Sequence, residues 1–142
     1  MYVSDILKTK GGKIIALQSG EPVAAALALL AENRIGAVLV TGDRGQISGI
    51  LSERDIVRAL HQHREAFFSK RVGDLMTAEV VTCSPHDPVA AIMGMMTSQR
   101  FRHVPVMDAG RLIGIISIGD VVKSRIEEAE SEVNALRQYI SM

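Results

Sequence analysis

The chain contains one sequence twice. Residues 14–41 and 80–107 run in step at an offset of 66, with identities at Pro22/Pro88, Val23/Val89, Ala24/Ala90, Ala25/Ala91, Arg34/Arg100, Val38/Val104 and Val40/Val106. After one dropped residue, 45–58 matches 110–123 at an offset of 65, with identities at Gly45/Gly110, Gly49/Gly114, Ile50/Ile115, Ser52/Ser117, Asp55/Asp120 and Val57/Val122. The lead-ins agree as well: Val3-Ser4-Asp5-Ile6-Leu7 resembles Val72-Gly73-Asp74-Leu75-Met76. An internal repeat decides how every other residue is read. Two copies of one unit tend to face each other, and a cleft between copies is a natural ligand site.

At 142 residues and 47% hydrophobic, the chain can bury a shared core and is not disordered by composition. Sixteen basic residues balance sixteen acidic ones, so there is no general pull toward nucleic acid. Cys83 is the single cysteine, which excludes an internal disulfide and points to a reducing, cytoplasmic setting. One cysteine and four scattered histidines have no zinc-ligand spacing. The longest strongly apolar stretch, residues 23–31, is too short to span a bilayer, and residues 1–20 lack a signal-peptide apolar core. A soluble protein without a membrane partner is expected.

Each copy reads as β-α-β-β-α. A first strand is expected over 13–17 and again over 80–83. Pro22 and Pro88 then start helices whose apolar faces are Val23, Leu27, Leu30 and Val89, Met93, Met96. Met93, Met95 and Met96 are read as core packing. Strands follow at 37–40 and 103–107, then at 46–51 and 111–116. Glycine before an apolar pair, Gly49-Ile50 and Gly114-Ile115, suggests close backbone approach within the sheet. A helix begins after Ser52 and after Ser117. Residues 3–60 and 72–125 form the two motifs, joined by a polar linker at 61–71 in which Phe67 and Phe68 need somewhere to pack. The linker histidines His61 and His63 are read as surface residues.

Residues 126–142 extend the last helix. Val122, Ile126, Ala129, Val133, Leu136 and Ile140 are spaced 4, 3, 4, 3, 4, a heptad stripe with the glutamates on other faces. The helix either folds back onto its own domain or contacts a second subunit, and the second option is preferred.

The chemistry resides in Ser-x-x-Asp directly after an apolar strand: Ser52-Glu53-Arg54-Asp55 and Ser117-Ile118-Gly119-Asp120. A serine at a helix N-cap sits among unsatisfied N–H groups and a positive dipole end, a position that accepts phosphate. A carboxylate one turn on has two acceptor oxygens, matching the two vicinal hydroxyls of a ribose. The same spacing is also a capping box, which only stabilises a helix start by about 1 kcal/mol. Its recurrence after the same Gly-apolar-apolar strand goes beyond what a cap explains.

Taken together, the two Gly-Ile-[Leu/Ile]-Ser-x-x-Asp-[Ile/Val]-Val segments, the Asp87-Pro88-Val89-Ala90-Ala91-Ile92-Met93 helix start and Arg102-His103-Val104-Pro105-Val106-Met107-Asp108 resemble a tandem pair of cystathionine β-synthase (CBS) motifs over about residues 3–125. The likeness within that family is to short stand-alone CBS-pair proteins. It implies an α/β fold of two β-α-β-β-α motifs related by a pseudo-twofold axis, with sheets packed together and an extended C-terminal helix. It also implies adenosyl ligands in the clefts: AMP, ADP, ATP, S-adenosylmethionine or NAD(H), with no metal beyond Mg accompanying ATP. By matching positions, Asp55 and Asp120 would hold ribose hydroxyls and Ser52 and Ser117 would contact phosphate. Ile15-Ala16 and Val81-Thr82 would meet adenine, largely through backbone, and Arg102 and His103 would meet phosphate. Copy one has Gly36-Ala37 where copy two has Arg102-His103, and Arg54 where copy two has Gly119, so the two clefts can differ in ligand. The expected protein is a homodimeric regulatory module acting on a separate protein, and not an enzyme. The alternatives are an interaction module with empty clefts that recruits a partner through its C-terminal helix, and an enzyme using Cys83 or His103.

Overall fold

The computed structural model describes residues 1–141. Met142, the last residue of the expected C-terminal extension, lies outside the described residues. The elements are α1 (Val3–Lys10), β1 (Ala16–Leu17), α2 (Val23–Asn33), β2 (Ala37–Thr41), β3 (Ile47–Ser52), α3 (Glu53–His63), a 3-10 helix (Arg64–Ser69), α4 (Val72–Leu75), α5 (Val89–Gln99), β4 (His103–Asp108), β5 (Arg111–Ser117) and α6 (Ile118–Ser141). This is the expected mixed α/β arrangement, with two small sheets and a long C-terminal helix.

Packing divides the chain into one unit of residues 13–81 and another made of 1–12 together with 82–142. The lead-ins are therefore exchanged between the sequence copies. Val3 and Ser4 donate their N–H groups to the carbonyls of Asp87 and Pro85 at 3.0 and 2.9 Å. Val72 and Gly73 donate to the equivalent carbonyls of Glu21 and Ser19 at 2.9 and 2.8 Å. Val3 and Val72 are fully buried, each in the core of the unit it docks onto.

In the 13–81 unit, β1 runs parallel to β2 and β2 antiparallel to β3. One face of β2 presents Val38 and Val40 to Ala26 and Leu30 of α2, and Leu17, Leu51 and Val72 complete that cluster. In the other unit β4 and β5 form an antiparallel pair, and Val104, Val106 and Ile116 pack with Ile92, Met96 and Val121. Met93 and Met95 flank this cluster, as the core reading of the methionines required. Both sheets slip register at the same repeat position, Val40/Thr41 and Val106/Met107.

Three local expectations are corrected. The first strands are shorter than 13–17 and 80–83: only Ala16–Leu17 forms in copy one, and copy two keeps a single parallel bridge, Cys83 to Val106. Leu39 donates its N–H to the Ile15 carbonyl at 3.2 Å. Its counterpart is Pro105, which has no N–H to give, so the second ladder loses that rung. Cys83 still donates to the Pro105 carbonyl at 3.0 Å and accepts from Met107 at 2.8 Å. Second, residues 61–71 are not a plain linker: α3 runs through His63 and a 3-10 turn follows. Phe67 is buried against Val23 and Ala59, whereas Phe68 meets Phe67 edge-on and stays 66% exposed. Third, Gly49 and Gly114 face the exchanged lead-in segments, and these set the close approach. A Cβ on Gly49 would lie 2.7 Å from the Thr77 carbonyl oxygen and from Met76 Sδ, and one on Gly114 would lie 2.8 Å from Leu7 Cδ2.

Candidate functional site

Each Ser-x-x-Asp is a built capping box. Ser52 Oγ accepts from the Asp55 N–H at 3.3 Å and donates to Asp55 Oδ2 at 3.0 Å, and the Ser52 N–H donates to that same oxygen at 2.9 Å. Ser117 Oγ accepts from the Asp120 N–H at 3.2 Å, and the Ser117 N–H donates to Asp120 Oδ2 at 2.8 Å. The first helical amide is also used: Glu53 donates to the Gly36 carbonyl at 2.9 Å and Ile118 to the Arg102 carbonyl at 2.8 Å. That bond, with the strand pairings Ala37–Ser52 and His103–Ser117, brings residues 36–37 and 102–103 to the same sheet end as the serine and aspartate. The next amide, of Arg54 in one helix and Gly119 in the other, bonds nothing among the described residues.

The cap consumes one oxygen of each carboxylate. Asp55 Oδ1 is left with a long hydrogen bond from the Thr77 hydroxyl at 3.3 Å and the Arg58 guanidinium at 3.9 Å. Asp120 Oδ1 accepts no hydrogen bond among the described residues.

Lys10 is the residue sequence reasoning missed. Its Nζ lies 2.6 Å from Asp120 Oδ2 and donates to the Ile115 carbonyl at 2.9 Å. Lys10 is 105 residues away in sequence from Ile115 and belongs to the lead-in of the other copy, so no local pattern could pair them. Burial alone pushes the Asp120 carboxyl up. The Lys10 hydrogen bond, the Ser117 N–H and the Lys10 charge outweigh it and hold the group below its ordinary value. This contact therefore stabilises the fold above the unfolded aspartate's pKa of about 4, and that contribution is lost as pH falls through the depressed folded value. Lys10→Met should leave burial unopposed by the cation. Asp120, followed by carboxyl-carbon NMR, then titrates at higher pH, and acid unfolding begins at higher pH than in the wild type. An unmoved Asp120 titration would show that Ser117 alone sets it.

The remaining predicted residues are placed as follows. Arg102 is exposed and His103 half-buried where β4 begins. Arg54 is exposed on the first turn of α3, with no ion pair among the described residues. Ile15 is half-buried beside the β1–β3 core, and Ala16 is exposed in β1. Val81 and Thr82 flank the boundary between the two packed units, in no strand. Cys83 is buried, and burial, helped by Asp87, pushes its thiol up to about 12.

The CBS domain family model matches residues 3–62 and 72–127. The chain belongs to the CBS domain family. A mitochondrial CBS domain-containing protein of Arabidopsis thaliana, CBSX3, is 34% identical over 97% of this chain and 71% of its own length. A CBS-domain protein of Agrobacterium tumefaciens, solved crystallographically, is 42% identical with a TM-score of 0.85, over 87% of this chain and 92% of its own. Some of the similar CBS structures carry adenosyl ligands. One, from the protein MJ0100, is complexed with 5′-methylthioadenosine and S-adenosyl-L-methionine (26% identity, TM-score 0.77, covering 92% of this chain and 98% of that one). Another, from Pyrobaculum aerophilum, is complexed with AMP (26% identity, TM-score 0.75, covering 84% and 89%). No helix among the described residues of this CBS protein is long and apolar enough to cross a membrane.

Proposed function

We propose that this CBS-pair protein is a regulatory binder of adenosine-containing ligands, with AMP, ADP, ATP and NAD(H) as the candidates and with occupancy as the signal. The observation that carries the reading is the duplicated division of labour in the aspartates. One oxygen of each is spent on the helix cap; the other carries only long contacts from Thr77 and Arg58 in Asp55 and no hydrogen bond among the described residues in Asp120, and the second amide of each helix bonds nothing among the described residues. Such an oxygen can accept from ribose hydroxyls while the amide and the helix dipole favour phosphate. The adenosyl ligands of the MJ0100 and Pyrobaculum structures agree with that chemistry.

The two sites differ in charge. Lys10 contacts Asp120, and Arg102 and His103 lie at the same sheet end as its helix start, whereas Arg58 contacts Asp55 and Arg54 is its chain neighbour. A phosphorylated ligand should favour the Asp120 site, with Lys10 released from the carboxylate toward phosphate. Burial that pushes the Cys83 thiol up to about 12 disfavours it as a thiolate nucleophile at neutral pH, which supports a binding role over a Cys83 enzyme. A reducing compartment such as the cytoplasm suits that buried thiol.

Calorimetric and thermal-shift titration with AMP, ATP, NADH and S-adenosylmethionine tests the reading, with GMP as the base control. Ligand at 100 times Kd should stabilise by about 2.7 kcal/mol and raise Tm by several degrees. No heat and no Tm shift with any adenosyl compound would leave the interaction module as the better account.

A further inference from the structure

The heptad stripe of α6 is not turned toward its own unit. Val121 and Ser124 are buried and Glu128 is half-buried against that unit. At 100° per residue this face lies about 130° around the helix from the stripe. Ile126, Val133, Leu136 and Ile140 are 53%, 47%, 59% and 75% exposed, so folding back is not what the helix does.

We propose that this stripe pairs with the same stripe of a second copy, parallel and in register, as a short two-stranded coiled coil. The assignment puts Ile126, Val133 and Ile140 at a and Val122, Ala129 and Leu136 at d. Within a parallel coil, β-branched residues at a with leucine at d favour two strands, and here all three a residues are β-branched and Leu136 holds one of the three d positions. The flanking charges select the orientation. In a parallel pair each g residue faces the e residue five positions on in its partner. Arg125 then meets Glu130 of the partner subunit, and Glu132 meets Arg137 of the partner subunit. Both contacts are attractive, and symmetry doubles them. An antiparallel pair with the same apolar layers would bring Lys123 against Arg137, Glu130 against Glu130 and Glu132 against Glu132, all like charges. Among the described residues Arg125 is held within its own chain only by an exposed contact to Glu128 at 3.1 Å, a weak surface pair it can leave. Six layers are few for a free-standing coil, so association is expected in the micromolar range or to add to another contact.

Three surface variants test this without touching the core. Arg137→Glu should weaken self-association in sedimentation equilibrium by roughly tenfold in a parallel pair, and should strengthen it in an antiparallel one by facing Lys123. Glu132→Arg should weaken it similarly. An equimolar mixture of the two variants should recover wild-type association as a heterodimer, because every g–e contact is then attractive again. Leu136→Cys should form an interchain disulfide under mild oxidation, since d faces d only in the parallel arrangement, whereas wild type with its buried Cys83 should not. A wild type that stays monomeric at several hundred micromolar overturns the proposal, as do self-association unchanged or strengthened by Arg137→Glu and a Leu136→Cys chain that does not cross-link.

Discussion

Asp120→Asn should lower AMP affinity at its site by about 100-fold while moving Tm by only a few degrees. Two hydroxyl hydrogen bonds to a charged oxygen are each worth about 1.5–3 kcal/mol, and an amide loses the charge that strengthens both. The structural loss is smaller. The amide oxygen can still accept from the Ser117 N–H, and weakening a cap costs about 1 kcal/mol. Losing the Lys10 contact adds little, because that pair is partly exposed to solvent. Asp55→Asn, where no lysine bonds the carboxylate among the described residues, isolates the other carboxylate. Calorimetry on each single variant and on the double variant would apportion binding between the sites. If affinity survives both substitutions, the Ser-x-x-Asp motifs are helix caps and nothing more.

Gly49→Ala should destabilise the 13–81 unit by about 2–3 kcal/mol, and Gly114→Ala the other unit by less than about 1 kcal/mol, although the two glycines are repeat equivalents. The added methyl at Gly49 meets the Thr77 carbonyl, which is fixed because Ile50 donates to it at 2.9 Å and Thr77 donates back to Ile50 at 2.8 Å. At Gly114 the obstacle is the tip of the Leu7 side chain, which can change rotamer. Urea unfolding of the two variants measures the difference. Equal losses would mean that the Thr77 segment yields as easily as a leucine side chain.

Most of the architecture was legible because it is written in local periodicity. The apolar spacing of α2 and α5, the alternation in β2 to β5 and the Ser-x-x-Asp caps each depend on neighbours within a few residues. The misread segments are those whose state depends on distant partners. A first strand over 80–83 looked as good as one over 13–17, but the rung it needed belonged to Pro105. Phe68 looked like a core residue beside Phe67, yet the 3-10 turn points only one of the two rings inward.

The sequence alone determined the duplication, the α/β class, the paired aspartates and the heptad stripe, since each is a pattern of residue types at fixed spacing. Only the tertiary structure decided which segment completes which unit. α1 docks on residues from the far copy because Val3 and Ser4 find the Asp87 and Pro85 carbonyls there. That exchange places Lys10 on Asp120 and Thr77 on Asp55, and so adds a further chemical difference between the two motifs to those already in the sequence. Chain spacing cannot encode such a choice, because both lead-ins match both copies, and long-range hydrogen bonding and burial select between them.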